Sequence, residues 1–197
     1  RPPPFPTPGT RAALSAASRL QAMAAFEAAL ARAEAATGVI PADAATSITA
    51  ACESFEPDIA ALAEATRQSG NPAIPFVKAL TAHCPEPGKG WVHWGATSQD
   101  VIDTAASLVG RQAMAVLAAQ MKTLGAGLAR QATAHRSTVM PGRTLLQPAL
   151  PVTFGFKLAG WLDMLMRCSA SFRSAADEAL VLPFGGAVGP PAAIDDN

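Results

Sequence analysis

The chain has 197 residues, half of them hydrophobic, with 15 Lys+Arg balanced by 15 Asp+Glu. That length suits one domain or a domain and a half with a sizeable core. A formal net charge of zero without a basic run argues against nucleic acid as a partner, because a phosphate-tracking surface needs a positive excess.

Three widely spaced cysteines, Cys52, Cys84 and Cys168, make neither a disulfide framework nor a zinc knot. They suit a reducing cytoplasm. No run of eighteen apolar residues stands out, so no membrane span is expected. The leading RPPPFPTPGT lacks the apolar core of a signal peptide and reads as an extended lead-in. Alanine is abundant and tyrosine absent, so composition points to an all-α fold.

In chain order, the first helix is predicted from about Ala12 to Thr37. Leu20, Met23, Phe26 or Glu27, Leu30 and Glu34 follow the helical period there. Gly38 stops it, and Pro41 opens a second helix over 41–52. Pro57 and Asp58 start a third, over 57–69, which ends at Gly70. A fourth spans 75–83, after NPAIP. CPEPGKG, residues 84–90, is too rich in Pro and Gly to continue a helix. That break suggests an N-terminal helical domain over 1–90 and a second domain over 91–197.

The longest predicted helix runs from Gln99 to about Ala134. Met114, Leu117, Met121, Leu124 and Leu128 step by three and four, the seam spacing of a bundle helix. Pro141 and Gly142 end that run. The stretch HRSTVMPGRTLLQPALPVTFG, residues 135–155, reads as a polar interhelical loop. A last helix is predicted from about Pro151 to Ala176, then a short extended piece over Leu180–Phe184. Two such long helices leave apolar stripes without partners. Either the chain assembles through them or it is part of a longer protein.

Two segments carry candidate chemistry. HWGATSQD, residues 93–100, reads at its simplest as a turn at Gly95 and a helix cap at Thr97 or Ser98, with Asp100 in the first turn. Hydroxyls and free N–H groups at a helix start also suit a carboxylate ligand, and His93 is placed to join them. In the second segment Thr144 and Gln147 are neutral donors beside Arg143, a group able to orient a polycarboxylate. The histidines His83, His93 and His135 have no metal-ligand spacing, so no metal is expected. Asn71 before Pro72 reads as a turn residue, and Trp91 and Trp94 as packing.

These segments, together with RLQAMAAFEAALARAEA, GNPAIPFVKAL and LPFGGAVG, resemble the fumarase/aspartase superfamily. Within it they resemble the bacterial 3-carboxy-cis,cis-muconate cycloisomerases. The resemblance implies an N-terminal helical domain plus the first part of a long central helical bundle. It implies closure of a muconate triacid to 4-carboxymuconolactone in protocatechuate (β-ketoadipate) breakdown, without a cofactor. It also implies a cytoplasmic homotetramer with sites shared between subunits. Thr97, Ser98 and Gln99 match the carboxylate-gripping motif, with Asp100 and Gly95 structural. Thr144 and Gln147 match substrate-contacting positions and join His93 as candidate catalytic residues. Asn71, Arg143 and Arg19 match substrate-binding positions near the pocket.

The chain departs from the family at Leu145, where many lyases carry histidine and the cycloisomerases commonly tryptophan. Leucine cannot relay a proton. The mobile Gly-Ser-Ser loop that holds the lyases' catalytic serine has no counterpart here, so the chain by itself is expected to be inactive. A succinyl-adduct lyase like adenylosuccinate lyase, a sulfomuconate cycloisomerase and a non-catalytic helical oligomerisation module stay open as alternatives.

Overall fold

A computed structural model describes residues 7–189. Seven α-helices and one β-hairpin follow in chain order: α1 (Pro8–Ala13), α2 (Ala16–Ala36), α3 (Ala42–Glu53), α4 (Ile59–Ser69), α5 (Ala73–His83), α6 (Ser98–Ala134), β1 (Val139–Thr144), β2 (Gln147–Thr153) and α7 (Phe154–Ala179). The fold is all-α with one small hairpin.

Local chemistry sets the ends. The first predicted helix is two helices. Ser15 adopts an extended ψ of 160° and its side chain accepts the Ser18 N–H, so α2 starts afresh behind α1. The Ala-rich pattern hid this break, because its period runs through Leu14. At the other end Gly38 takes φ 79°, and the Val39 N–H reaches back to the Glu34 carbonyl at 2.8 Å, a six-to-one closure. Asp58 is the cap of α4 rather than a first-turn residue. Its Oδ1 accepts the N–H groups of Ala60 and Ala61 at 2.9 and 3.1 Å. Gly70, at φ 67°, ends α4.

Two compact units result. The first takes the described residues up to Gln112 together with those from Leu180 onward, and the second is Ala113–Ala179. Compactness thus divides the chain within α6, whereas the Pro/Gly break suggests a division near residue 90. In the first unit α2 packs on α3, and Met23, Phe26, Ile48, Phe76, Leu80 and Val101 form the centre of its core. Val101, Ala105 and Val109 are buried, so the first turns of α6 belong to that core. Among the described residues α6 is also the one helix long and apolar enough to cross a membrane by length and composition.

In the second unit the end of α6 and all of α7 run antiparallel. The Gly125 backbone faces Leu162 and Leu165. The connection corrects the expected polar loop. Residues 139–144 and 147–153 pair as antiparallel strands with a register shift between Pro141 and Gly142, and α7 starts at Phe154 instead of near Pro151. Residues 180–184, where an extended piece is expected, pair with no other strand among the described residues. Gly155 lets α7 dock. A Cβ there would lie 2.5 Å from the Ala132 carbonyl oxygen and 2.7 Å from the Arg136 Cα.

Gly155→Ala should therefore destabilise the chain by about 1–3 kcal/mol. Gly160→Ala, where a Cβ meets nothing within 4 Å, should stabilise it by about 0.5–1 kcal/mol. Chemical denaturation of the two variants checks both signs.

Candidate functional site

The start of α6 is built around Asp100. Its carboxylate is buried, at 5% exposure. Oδ2 accepts the Thr97 N–H at 2.8 Å and the Gly186 N–H at 3.1 Å, and Oδ1 accepts the Gly185 N–H at 3.0 Å. One carboxylate thereby joins the loop, the first turn of α6 and the 185–186 segment. Thr104 adds a bond from its hydroxyl to the Pro183 carbonyl at 3.2 Å. The carboxylate also sits at the positive end of a 37-residue helix.

This arrangement changes what Thr97 does. The side chain of Asp100 reaches back to the cap residue's N–H, and the Asp100 N–H bonds to the Thr97 carbonyl at 3.1 Å. Among the described residues no hydrogen bond occupies the Thr97 or Ser98 hydroxyl. Both residues are half-buried. Two hydroxyls and the N–H groups of Ser98 and Gln99 thus remain at a helix start, which is the chemistry of a carboxylate site. Gly95, at φ 66°, provides the left-handed turn ahead of them. Gln99 is exposed, and its amide bonds to Asp103 at 2.6 Å.

His93 stands in the left-handed region, at φ 62°. Its Nδ1 lies 2.6 Å from Glu27 Oε1, and Glu27 is 1% exposed on α2. Two turns along α2 lies Glu34, 2% exposed. Burial first, then the charge of Glu27, pushes the Glu34 carboxyl up to about 7, against a smaller opposing pull from His93. Sequence reasoning set both glutamates on the apolar period of α2 and gave them no role. An acid at a core position was the available signal. Cys52 is buried, and desolvation with the charge of Glu27 raises its thiol to about 12, which keeps it a neutral thiol.

The remaining candidates are more dispersed. Asn71 is half-buried and spends its side-chain oxygen on the Ala73 N–H at 2.8 Å, starting α5. Arg19 is exposed on α2. Arg143 and Thr144 close β1, and Gln147 opens β2 opposite Thr144. All three are exposed in the second unit. The turn between the strands is Leu145–Leu146, at φ 46° and 65° and 94% and 93% exposed. A two-residue turn with both φ positive normally uses Asn or Gly. Of the other histidines, His83 Nε2 bonds to the Ser54 hydroxyl at 3.1 Å and His135 Nδ1 to the Thr138 hydroxyl at 3.2 Å.

The chain belongs to the lyase family, whose sequence model matches residues 5–197. It is 52% identical over 190 residues to the 3-carboxy-cis,cis-muconate cycloisomerase of Bradyrhizobium diazoefficiens, covering 95% of this chain and 42% of that protein. It is 45% identical to the nitrosuccinate lyase of Streptomyces davaonensis, over 90% of this chain and 38% of that one. The crystal structure of the 3-carboxy-cis,cis-muconate lactonizing enzyme from Pseudomonas putida superposes with a TM-score of 0.91 at 45% identity, covering 96% of this chain and 44% of that one. The chain thus spans about two-fifths of the length of the curated relatives it matches.

Two outcomes follow from this geometry. Asp100→Ala strands three backbone N–H groups and should cost about 3 kcal/mol or more in stability. A thermal melt within a degree of wild type would contradict the role given to Asp100. For Glu34 the folded value of about 7 lies above the ordinary 4.5. Between those values the folded chain holds more protons than the unfolded chain, so this group's contribution is lost as pH rises through that window. Glu34→Gln should flatten the fall in stability between about pH 4.5 and 7, with a gain on the order of 2 kcal/mol at pH 8. Urea titrations across that range measure it.

Proposed function

We propose that the protein carrying this chain is a cycloisomerase that closes 3-carboxy-cis,cis-muconate to 4-carboxymuconolactone, the lactone-forming step of protocatechuate (β-ketoadipate) breakdown. The observation that carries the reading is 52% identity, along 95% of this chain, to a relative of that name. The free hydroxyls of Thr97 and Ser98 at the start of α6 support it.

The reaction is an intramolecular addition. One carboxylate oxygen of the triacid attacks a double-bond carbon, a C–O bond closes the five-membered ring, and the electron pair moves toward the carboxyl group conjugated with that bond. A proton then joins the neighbouring carbon. Thr97, Ser98 and the first N–H groups of α6 hold one carboxylate. Gln99, Asn71 and Arg19, with Thr144, Gln147 and Arg143 from the β-hairpin of another subunit, are the proposed further contacts. Neutral donors suit the enolate-like charge that develops, because they stabilise it without burying many cations. Holding the diene bent brings nucleophile and alkene within reach. His93 is the proposed proton donor, since imidazole is the side chain suited to proton transfer near neutral pH.

We also propose a cytoplasmic homotetramer with an N-terminal domain over residues 1–90, sites shared between subunits, and no membrane or nucleic-acid partner. The exposed Leu117 and Leu124 on α6, and Phe156, Trp161, Met164 and Met166 on α7, support further helices packing there. The charge balance of the chain and the burial of the α6 start support a soluble setting. A second reading, a lyase of the same family, is favoured by the 45% identity to a nitrosuccinate lyase. Leu145 in the place of the lyases' histidine weighs toward the first.

The test is an assay of the full-length protein with 3-carboxy-cis,cis-muconate, its sulfonated analogue, nitrosuccinate and adenylosuccinate. Loss of diene absorbance with lactone as product is the expected result. Fumarate release from a succinyl compound, with no turnover of the muconate, would overturn it. Ser98→Ala should lower kcat/KM by roughly 10- to 100-fold, the worth of one hydrogen bond to a charged group.

A further inference from the structure

We propose that Glu27 is a positioning residue that commits His93 to work through its Nε2 atom. The inference rests on the reading of His93 as the proton-transfer group. It adds a residue that is not among the candidate site residues read from the sequence.

The chemistry begins with the contact. Glu27 Oε1 and His93 Nδ1 are 2.6 Å apart, across 66 positions of sequence. An ionised carboxylate only accepts hydrogen bonds. Nδ1 must therefore carry a hydrogen, in the neutral ring and in the imidazolium alike. The proton that comes and goes is then the one on Nε2. Free imidazole has no such constraint, and a ring that exchanges between tautomers presents the wrong nitrogen for part of the time.

Three further features fit a positioning role better than a packing role. The Glu27 side chain has no solvent exposure, while His93 keeps 16%. The carboxylate is thus the fixed partner, and the imidazole is the one with access to solvent. Glu27 Oε2 is buried without a hydrogen-bond partner among the described residues. A hydrophobic side chain of the same length would fill this space at lower cost, because a buried carboxylate half satisfied is a net burden on folding. Last, the loop holds His93 at φ 62°, a left-handed conformation that a non-glycine residue disfavours. That turn carries the ring whose Nδ1 meets Glu27 Oε1.

Glu34 completes the arrangement. It shares the buried face of α2, and among the described residues neither of its carboxyl oxygens has a hydrogen-bond partner. Burial first, then the charge of Glu27 two turns away, raises the Glu34 carboxyl to about 7.

The experiment uses the full-length protein in wild-type, Glu27→Met, Glu27→Gln and His93→Gln forms. Solid-state 15N spectra of histidine-labelled protein, with His93 assigned by difference, read the tautomer directly. In the wild type at alkaline pH we expect a protonated Nδ1 and a bare Nε2. Glu27→Met removes the acceptor at equal length and should release the ring to a mixture of tautomers. Its kcat should fall by roughly 100-fold, with KM within about threefold, while its melting temperature holds or rises. Glu27→Gln retains a neutral acceptor and should fall between the two. A wild-type spectrum with hydrogen on Nε2 and a bare Nδ1 overturns the proposal, and so does wild-type turnover in both Glu27 variants. His93→Gln separates this inference from the reading beneath it. If that variant retains turnover, the proton-transfer role falls and takes the positioning role with it. If it loses turnover while the Glu27 variants do not, the positioning role alone falls.

Discussion

The first unit depends on one buried carboxylate. Asp100 collects three backbone N–H groups from Thr97, Gly185 and Gly186, two of them from chain 85 positions and more away. Charge-assisted bonds of this kind are among the stronger ones available to a fold. Their functional consequence is indirect. A threonine at a helix start normally spends its hydroxyl on capping. Here the carboxylate satisfies the loop, so the hydroxyls of Thr97 and Ser98 keep their capacity for a ligand. A strong structural bond thus stands immediately behind a site that is chemically unspent.

Much of the helical frame was legible in the sequence, because its ends are marked by local chemistry. Gly38, Asp58 and Gly70 act within a few residues of themselves, and their identities suffice. The break at Ser15 was hidden because alanine fits both sides of it and the apolar period does not change phase. The hairpin was hidden for a different reason. Pro141, Pro148 and Pro151 argue against strands, and Leu145–Leu146 carries none of the Asn or Gly that marks a tight turn. Its two leucines hold a backbone conformation their side chains disfavour, and they point into solvent in this chain.

The site was legible in part. The HWGATSQD segment stood out because polar groups crowd ahead of a long apolar period. What holds it did not stand out. The Asp100 contacts and the Glu27–His93 pair join residues far apart in sequence, and no local pattern encodes such a meeting. Glutamates at core positions of α2 were the only trace. An acid at an apolar position signals that something distant must face it, without saying what.

The second unit reads as an incomplete surface. α6 and α7 approach closely where Gly155 permits, yet leucine, methionine and tryptophan side chains on both helices stay exposed. The relatives' greater length fits that picture, and the proposed activity belongs to the full-length protein. The most direct measurement is a crystal structure of that protein with an unreactive tricarboxylate analogue. The account predicts a carboxylate within hydrogen-bond distance of the Thr97 and Ser98 hydroxyls, with His93 Nε2 facing the diene carbons. A ligand bound elsewhere, with the start of α6 left to water, would contradict it.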